Sequence, residues 1–211
     1  EIDELIQDFF IAPEKVSIAV SGTPLENIEQ SCFPVSNFYT KINLLAYLLK
    51  DKEEFSKVLI FVSGKANADT VFDKLGESHG EELGIIHSNK TQNFRLKAIQ
   101  KFEEGTTRIL ISTDVMSRGL DLDKISHVIN FDVSAFPENY IHRIGRTGRA
   151  DQKGKTILLF TPKEKAAKEA IEKLMSFKIP ELKFPDAVSI SNQLTHAERP
   201  SDYSKKTKIE I

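Results

Sequence analysis

The sequence predicts an α/β fold, a parallel sheet covered by helices on both faces, and three observations predict it. Short apolar runs of strand length recur at Leu59-Ile60-Phe61-Val62, Gly84-Ile85-Ile86, Ile109-Leu110-Ile111, His127-Val128-Ile129-Asn130-Phe131 and Thr156-Ile157-Leu158-Leu159-Phe160. Stretches with the helical period separate them. The runs are continuously apolar rather than alternating, as strands buried on both faces require, and strands that alternate with helices give a parallel sheet.

Taken in order, residues 1–12 read as a short amphipathic helix bounded by Pro13. The segment around Val20-Ser21-Gly22-Thr23-Pro24 reads as a connection or a first sheet edge. The strand at Leu59 leads to a helix near Ala66 to Leu75, and the strand at Gly84 to a helix from Gln92 to Phe102. The strands at Ile109 and His127 follow, then a helix ending at His142 and the strand at Thr156. Thr161-Pro162-Lys163-Glu164 combines a capping box with proline at the first helical position, and Ala167, Ala170, Ile171 and Leu174 then share one face. After about Pro185 the chain turns polar and reads as a loosely held extension, with Val188, Ile190 and Leu194 available to dock.

Composition bounds the function. At 211 residues and 40% hydrophobic, the chain can bury a full core. A net charge of −2 is far from that of a duplex-coating protein, so any nucleic-acid contact must come from a local groove. One cysteine, Cys32, excludes an internal disulfide, fits a reducing cytoplasm and reads as a small core residue. No apolar run long enough to span a membrane and no signal-peptide pattern appear. His79, His127 and His196 lack metal-ligand spacing and read as ordinary surface or strand residues.

The most informative stretch is His142-Arg143-Ile144-Gly145-Arg146-Thr147-Gly148-Arg149, which sets arginines at intervals of three around two glycines. Arginine offers a permanently charged planar fork that binds phosphate oxygens in pairs, and Gly145 and Gly148 let the backbone tighten. An Arg-Gly run alone is as a rule a solvated face. This one resembles, letter for letter, motif VI of the DEAD-box RNA helicases. The resemblance implies that Arg146 and Arg149 reach the γ-phosphate of ATP across a domain interface as the catalytic arginines. It also implies that His142 couples that site to the RNA-binding side.

Thr113-Asp114-Val115-Met116-Ser117-Arg118-Gly119-Leu120-Asp121 is similar to motif V of the same family and follows the strand at Ile109. Ligands of open α/β sheets gather at the carboxyl ends of strands. By resemblance, Asp121 and Gly119 belong to the ATP site, Arg118 to interdomain coupling, and Thr113 touches RNA backbone. Phe61 and Ser63 lie in a segment similar to motif IV, where a helix start offers N–H groups to an RNA phosphate. Gln92-Asn93-Phe94-Arg95 matches motif IVa, which implies an RNA-backbone contact for Arg95; alone, it would be a solvent-facing first helical turn. Two departures stand out: Ser88-Asn89 after His87 where relatives carry Gly-Asp, and Ser134 where many carry proline.

Gly154-Lys155-Thr156 mimics the end of a phosphate loop, but five residues separate it from the nearest upstream glycine, Gly148, where that loop has four, and a strand follows instead of a helix. Lys155 reads as a strand-edge residue. Neither a Walker A sequence nor Asp-Glu-Ala-Asp occurs in the chain. The resemblance therefore implies a RecA-like helicase C-terminal domain from a longer protein. Residues 1–20 close the first helicase domain and link to the second, 21–187 form the second, and 188–211 form the extension. ATP with magnesium is the implied cofactor, the magnesium ligands lying in the N-terminal RecA-like domain. Implied partners are that domain and single-stranded or partly duplex RNA, bound without regard to sequence. This fragment alone is expected to be inactive. Two alternatives are a non-catalytic RNA-binding or regulatory module, which has no use for γ-phosphate arginines, and a self-sufficient flavodoxin-like enzyme, which would need a nucleophile-base pair that is not evident.

Overall fold

In the computed structural model, which describes residues 27–114, 122, 124–148 and 153–199, six strands form one sheet. They are β1 (Ile28–Pro34), β2 (Val58–Phe61), β3 (Leu83–Ile86), β4 (Ile109–Ser112), β5 (His127–Asn130) and β6 (Gly154–Phe160). Their order is β1-β6-β5-β2-β4-β3, and every pairing is parallel. Every residue of β2, β3, β4 and β5 is buried. Their apolar runs are continuous because helices cover both faces.

The helices are α1 (Phe38–Leu48), α2 (Lys65–His79), α3 (Gln92–Glu103), α4 (Pro137–Ile144) and α5 (Lys165–Met175). Alternate strand residues split the core. Val58, Ile60, Ile111 and Ile129 pack with Leu45 of α1 and Val71 of α2. Leu59 and Leu110 turn the other way, onto Phe102 of α3, while Leu158 meets Tyr140 of α4 and Ile171 of α5.

Two elements carry no periodicity that announces them. β1 interleaves Glu29, Gln30 and Ser31 with its apolar residues, because it lies at the sheet's margin. The chain's own C-terminal part covers that margin: Cys32 N–H donates to Pro180 O at 2.9 Å, and Leu182 N–H to Cys32 O at 2.8 Å. α1 is capped by Asn37, whose Oδ1 accepts from Thr40 N–H at 2.9 Å. Cys32 is fully buried, and burial pushes its thiol up to about 11.

Several expectations are corrected. The capping box is present, but its first turn is a 3₁₀ turn, Pro162–Glu164, before α5 begins. The buried stripe of α5 carries Lys168, Ile171 and Glu172, whereas Ala170 is exposed and Leu174 is 47% exposed. The stripe rotates because Lys168 and Glu172 pair at 2.9 Å and Glu172 also accepts from Ile179 N–H at 3.0 Å. Burial pushes the Glu172 carboxyl up, but bonds from Lys178, Lys168 and the Ile179 amide outweigh it and hold it below the usual range.

The extension is not loosely held over residues 188–199. Val188 is buried against α1, Ser191 O accepts from Asn37 Nδ2 at 2.6 Å, and Glu198 Oε1 accepts from Phe38 N–H at 2.7 Å, meeting a donor at the start of α1. Ile190 stays exposed. Lys155 lies in an interior strand, at its amino end, bonded to Glu54 Oε1 at 2.5 Å. His79 is neither a surface nor a strand residue but is buried at the end of α2, whereas His127 is a strand residue as read, buried in β5.

Candidate functional site

Register brings the carboxyl ends of three neighbouring strands level: Phe61 of β2 stands opposite Ser112 of β4 and Asn130 of β5. The chain leaves those ends at Ser63, Thr113 and Asp132, so the three residues share one rim. Ser63 is exposed and Thr113 half-buried there. Arg95 sits in the first turn of α3, after β3, half-buried, with its guanidinium bonded to Gln92 Oε1. Thr91 caps that helix, its Oγ1 accepting from Phe94 N–H at 3.3 Å.

The loop between β3 and α3 is tied down. His87 is buried with Nε2 3.0 Å from Asp69 Oδ1, Lys90 Nζ reaches the same oxygen at 3.0 Å, and Lys65 Nζ donates to Asn89 Oδ1 at 2.9 Å. Burial acts to raise the Asp69 carboxyl, but bonds to His87 and Lys90 hold it below its ordinary value.

α4 starts at the rim and runs down the face of the sheet. Tyr140, Arg143 and Ile144 point into the protein, and Arg143 is only 2% exposed. Its Nε and Nη2 donate to Asp114 Oδ1 and Oδ2 at 2.5 and 2.8 Å. Nη1 donates to Asp132 O at 2.9 Å and to Asn130 Oδ1 at 3.3 Å, and the guanidinium lies 5.2 Å from the Phe61 ring centre. One side chain thus ties the motif V segment, the end of β5 and the motif VI helix together.

Below Arg143 the chain turns tightly. Arg146 N–H donates to Arg143 O at 3.1 Å, and Thr147 Oγ1 donates to Ile125 O at 2.6 Å. Gly148 has φ +69°, a conformation that glycine adopts freely. Gly154 lies against it: a Cβ there would sit on the Gly148 amide nitrogen and within 2.7 Å of Thr147 Oγ1. Gly145 keeps an ordinary φ of −64°, so its place in the turn does not require glycine's freedom.

Asp132 is bonded on three sides. Oδ2 accepts from Ser63 N–H at 2.7 Å, and Oδ1 lies 3.5 Å from Lys41 Nζ. Its backbone oxygen holds Arg143. Lys41, 2% exposed, also donates to Phe131 O and to Glu164 Oε2, each at 2.7 Å.

The structure therefore gathers Ser63 and Thr113 at the rim with Arg95 on the adjoining helix start. Arg146 is half-buried in the turn below, and His142 stands on the exposed side of α4. Arg118, Gly119, Asp121 and Arg149 lie outside the described residues. The Ser63 N–H is already committed to Asp132, and the residue is exposed. Sequence reasoning missed Arg143, Asp114, Asp132 and Lys41 as site residues. The signal was there for two of them: Arg143 falls three residues after Tyr140 and Lys41 three after Phe38, each on its helix's buried stripe. Among the described residues, no group of three or more His, Cys, Asp or Glu is placed to hold a metal ion.

A parallel six-stranded sheet with this arginine-bearing turn on its flank defines a RecA-like domain. Residues 40–151, more than half of the chain, match the helicase conserved C-terminal domain family. The ATP-dependent RNA helicase DeaD of Buchnera aphidicola subsp. Baizongia pistaciae is 33% identical over 210 residues, all of this chain and 33% of the relative. The solved E. coli DEAD-box protein SrmB, bound to regulator of ribonuclease activity A, superposes with a TM-score of 0.72 at 28% identity, covering 80% of this chain and 97% of that one. S. cerevisiae Dbp5 bound to RNA and ADP BeF3 gives 0.75 at 27% identity, covering 86% and 48%. The chain belongs to the helicase conserved C-terminal domain family and is a second RecA-like domain of the DEAD-box kind. It spans about a third of the length of the curated relatives it matches.

Proposed function

We propose that this chain is the second motor domain of an ATP-dependent RNA helicase. In it, Arg146 and Arg149 complete the ATP site as arginine fingers, with Gly119 and Asp121 holding the nucleotide. Ser63, Arg95 and Thr113 bind one side of a single RNA strand, and Arg118 and His142 couple the two sites. The observation that supports it best is Arg143, whose bonds to Asp114 and Asp132 fix the turn bearing Arg146 relative to the rim bearing Ser63 and Thr113. That Dbp5 has been solved with RNA and ADP BeF3 supports carrying both ligands to this domain.

The donors suit a polyphosphate. Arg146 supplies a planar fork, held at its backbone by Arg143, and its role is to stabilise charge that develops as the terminal phosphoryl group leaves. The first RecA-like domain supplies the magnesium ligands and the water-orienting carboxylate, since the chain carries neither Walker A nor Asp-Glu-Ala-Asp. The isolated chain therefore hydrolyses no ATP. Closure of the two domains on ATP and RNA bends the bound strand and opens short duplexes in the cytoplasm.

The test is ATP turnover by the full-length helicase at saturating RNA. Arg146→Ala lowers the rate on the order of 10³ to 10⁵, with a far smaller change in ATP affinity. Arg146→Lys stays poor, because an ammonium cannot reproduce the fork. Near-normal turnover by the lysine variant would remove Arg146 from the finger role.

A further inference from the structure

We infer that the hollow at the β3 edge of the sheet is a docking site for a short extended segment of a partner protein, one that carries two carboxylates two residues apart with a large apolar residue between them. None of the residues given a role in the motor lines it. β3 ends the sheet and pairs with β4 alone. Soluble proteins cover or blunt such an edge. Here α2 and α3 flank it and leave a cavity of about 470 Å³, lined by Phe72 of α2, Ile85 of β3 and Phe94 of α3 among others. The hollow exists because Gly84 and Ala98, which line it where strand and helix meet, are small. Phe94 stands on its lip and is 47% exposed, an apolar wall that only water covers in the free domain.

α3 sets the charge of the site. Phe94, Lys97, Ala98 and Lys101 follow the spacing of one helical face, and all four line the cavity. Lys97 and Lys101 are exposed, and among the described residues neither ammonium has a partner, whereas the surface lysines Lys52 and Lys155 are each paired with a carboxylate. Against these two cations the lining holds one carboxylate among the described residues, Glu81. Spacing then names the occupant. Four residues of helix rise about 6 Å, which separates Lys97 from Lys101. Residues two apart in an extended chain lie about 6.6 Å apart and point the same way. An Asp or Glu at each of two such positions therefore meets both ammonium groups, and the residue between them points the other way, into the hollow between Phe72 and Phe94. A nucleic-acid strand matches only half of this surface, because its phosphates would meet the lysines and leave the apolar floor uncovered.

The experiment titrates the full-length helicase against a fluorescein-labelled heptapeptide, Gly-Ser-Asp-Leu-Asp-Ser-Gly, and follows its anisotropy. Saturable binding is expected, with a loss of about tenfold in the double variant Lys97→Glu and Lys101→Glu, where two attractions become repulsions. A peptide of the same composition in the order Asp-Asp-Leu breaks the alternation and binds more weakly by a similar factor. RNA-stimulated ATP turnover of the double variant holds at the wild-type level, because neither lysine belongs to the proposed RNA or nucleotide sites. No binding up to about 1 mM peptide, the weak end of measurable affinity, overturns the inference. So does equal binding of the reordered peptide, or an unchanged affinity in the double variant. Displacement of the peptide by single-stranded RNA, or a fall in turnover of the folded double variant, also overturns it and makes the face an RNA surface instead. Should the double variant lose its fold, the unmodified helicase decides. A photoreactive leucine analogue in the probe labels the stretches that carry Phe72 or Phe94, and labelling confined to other parts of the protein overturns the inference.

Discussion

Arg143 grips Asp114 through two parallel bonds, Nε to Oδ1 at 2.5 Å and Nη2 to Oδ2 at 2.8 Å, so the end of β4 and the helix α4 are locked by a single fork. Such pairing is stronger than a single charged bond and fixes orientation as well as distance. Because Arg143 is buried, the pair escapes the screening that makes surface ion pairs nearly worthless.

Arg143→Lys therefore behaves as a disruptive change despite its kept charge. A lysine has a single donor nitrogen and cannot reach all four acceptors that the spread nitrogens of the guanidinium reach, so buried oxygens of Asn130 or Asp132 lose their donor. Unmet buried acceptors cost roughly 1–3 kcal/mol. Denaturant midpoints of the isolated domain should fall accordingly; a midpoint equal to wild type would mean that the fork contributes nothing the lysine lacks.

Gly154→Ala tests the contact between β6 and the arginine turn. The new methyl group collides with the Gly148 amide and the Thr147 side chain, backbone and short side chain that cannot swing away. Overpacking of this kind costs about 1–3 kcal/mol, which for a domain of this size lowers the melting temperature by roughly 2–4 °C per kcal/mol. Because the collision falls on the turn that carries Arg146, ATP turnover by the full-length variant should drop even where the protein remains folded. A variant that melts and turns over like wild type would show that the turn relaxes without strain.

The sheet was legible from the sequence where burial is complete. The runs at β2, β4 and β5 are continuously apolar because helices cover both faces, and each emerged close to its true bounds. β1 was not, since a marginal strand mixes Glu29 and Gln30 with Ile28 and Phe33. The stripe of α5 was misread for a related reason: its buried face holds a Lys168–Glu172 pair, and a periodicity count credits only apolar residues. Motif order located Ser63, Thr113, Arg95 and Arg146. It could not reveal Asp132 and Lys41, because their meaning lies in contacts across 69 and 123 positions of sequence.

Acid should weaken the fold before any carboxylate titrates. Burial lowers the proton affinity of His127, which lies 4.3 Å from the Phe55 ring, and of His79, at the end of α2, with Arg108 adding to the effect on His79. Both are depressed bases, so the unfolded chain takes up protons at about pH 6.5 while the folded one does not. The stability they allow is complete above that pH and declines as pH falls through it, by up to about 1.4 kcal/mol per pH unit for each proton. Glu172 and Glu198, held below the usual carboxylate range, add their own loss only at still lower pH. Urea midpoints at pH 7.5 and 5.5 should therefore differ, with the lower pH weaker, and His127→Asn should narrow the gap. A midpoint that is flat or rises toward pH 5.5 would contradict the assignment.

Arg95 separates backbone grip from base reading. It stands in the first turn of α3, oriented by its bond to Gln92 on a helix start capped by Thr91, beside the rim of Ser63 and Thr113. In the function proposed above this guanidinium meets a phosphate, and phosphate contacts set position without reporting sequence. In the full-length helicase with a non-hydrolysable ATP analogue, Arg95→Ala should weaken binding by a similar factor for several unrelated single strands. The slope of log affinity against log salt should also flatten by about 0.7, the value for one fewer phosphate neutralised on a single strand. The chain's net charge of −2 makes this change visible, because no broad positive field masks the loss of one contact. Discrimination against DNA should persist in the variant if, as proposed, it rests on 2′-hydroxyl contacts rather than on Arg95. A loss confined to one sequence would mean that Arg95 reads a base, and no loss at all would remove it from the groove.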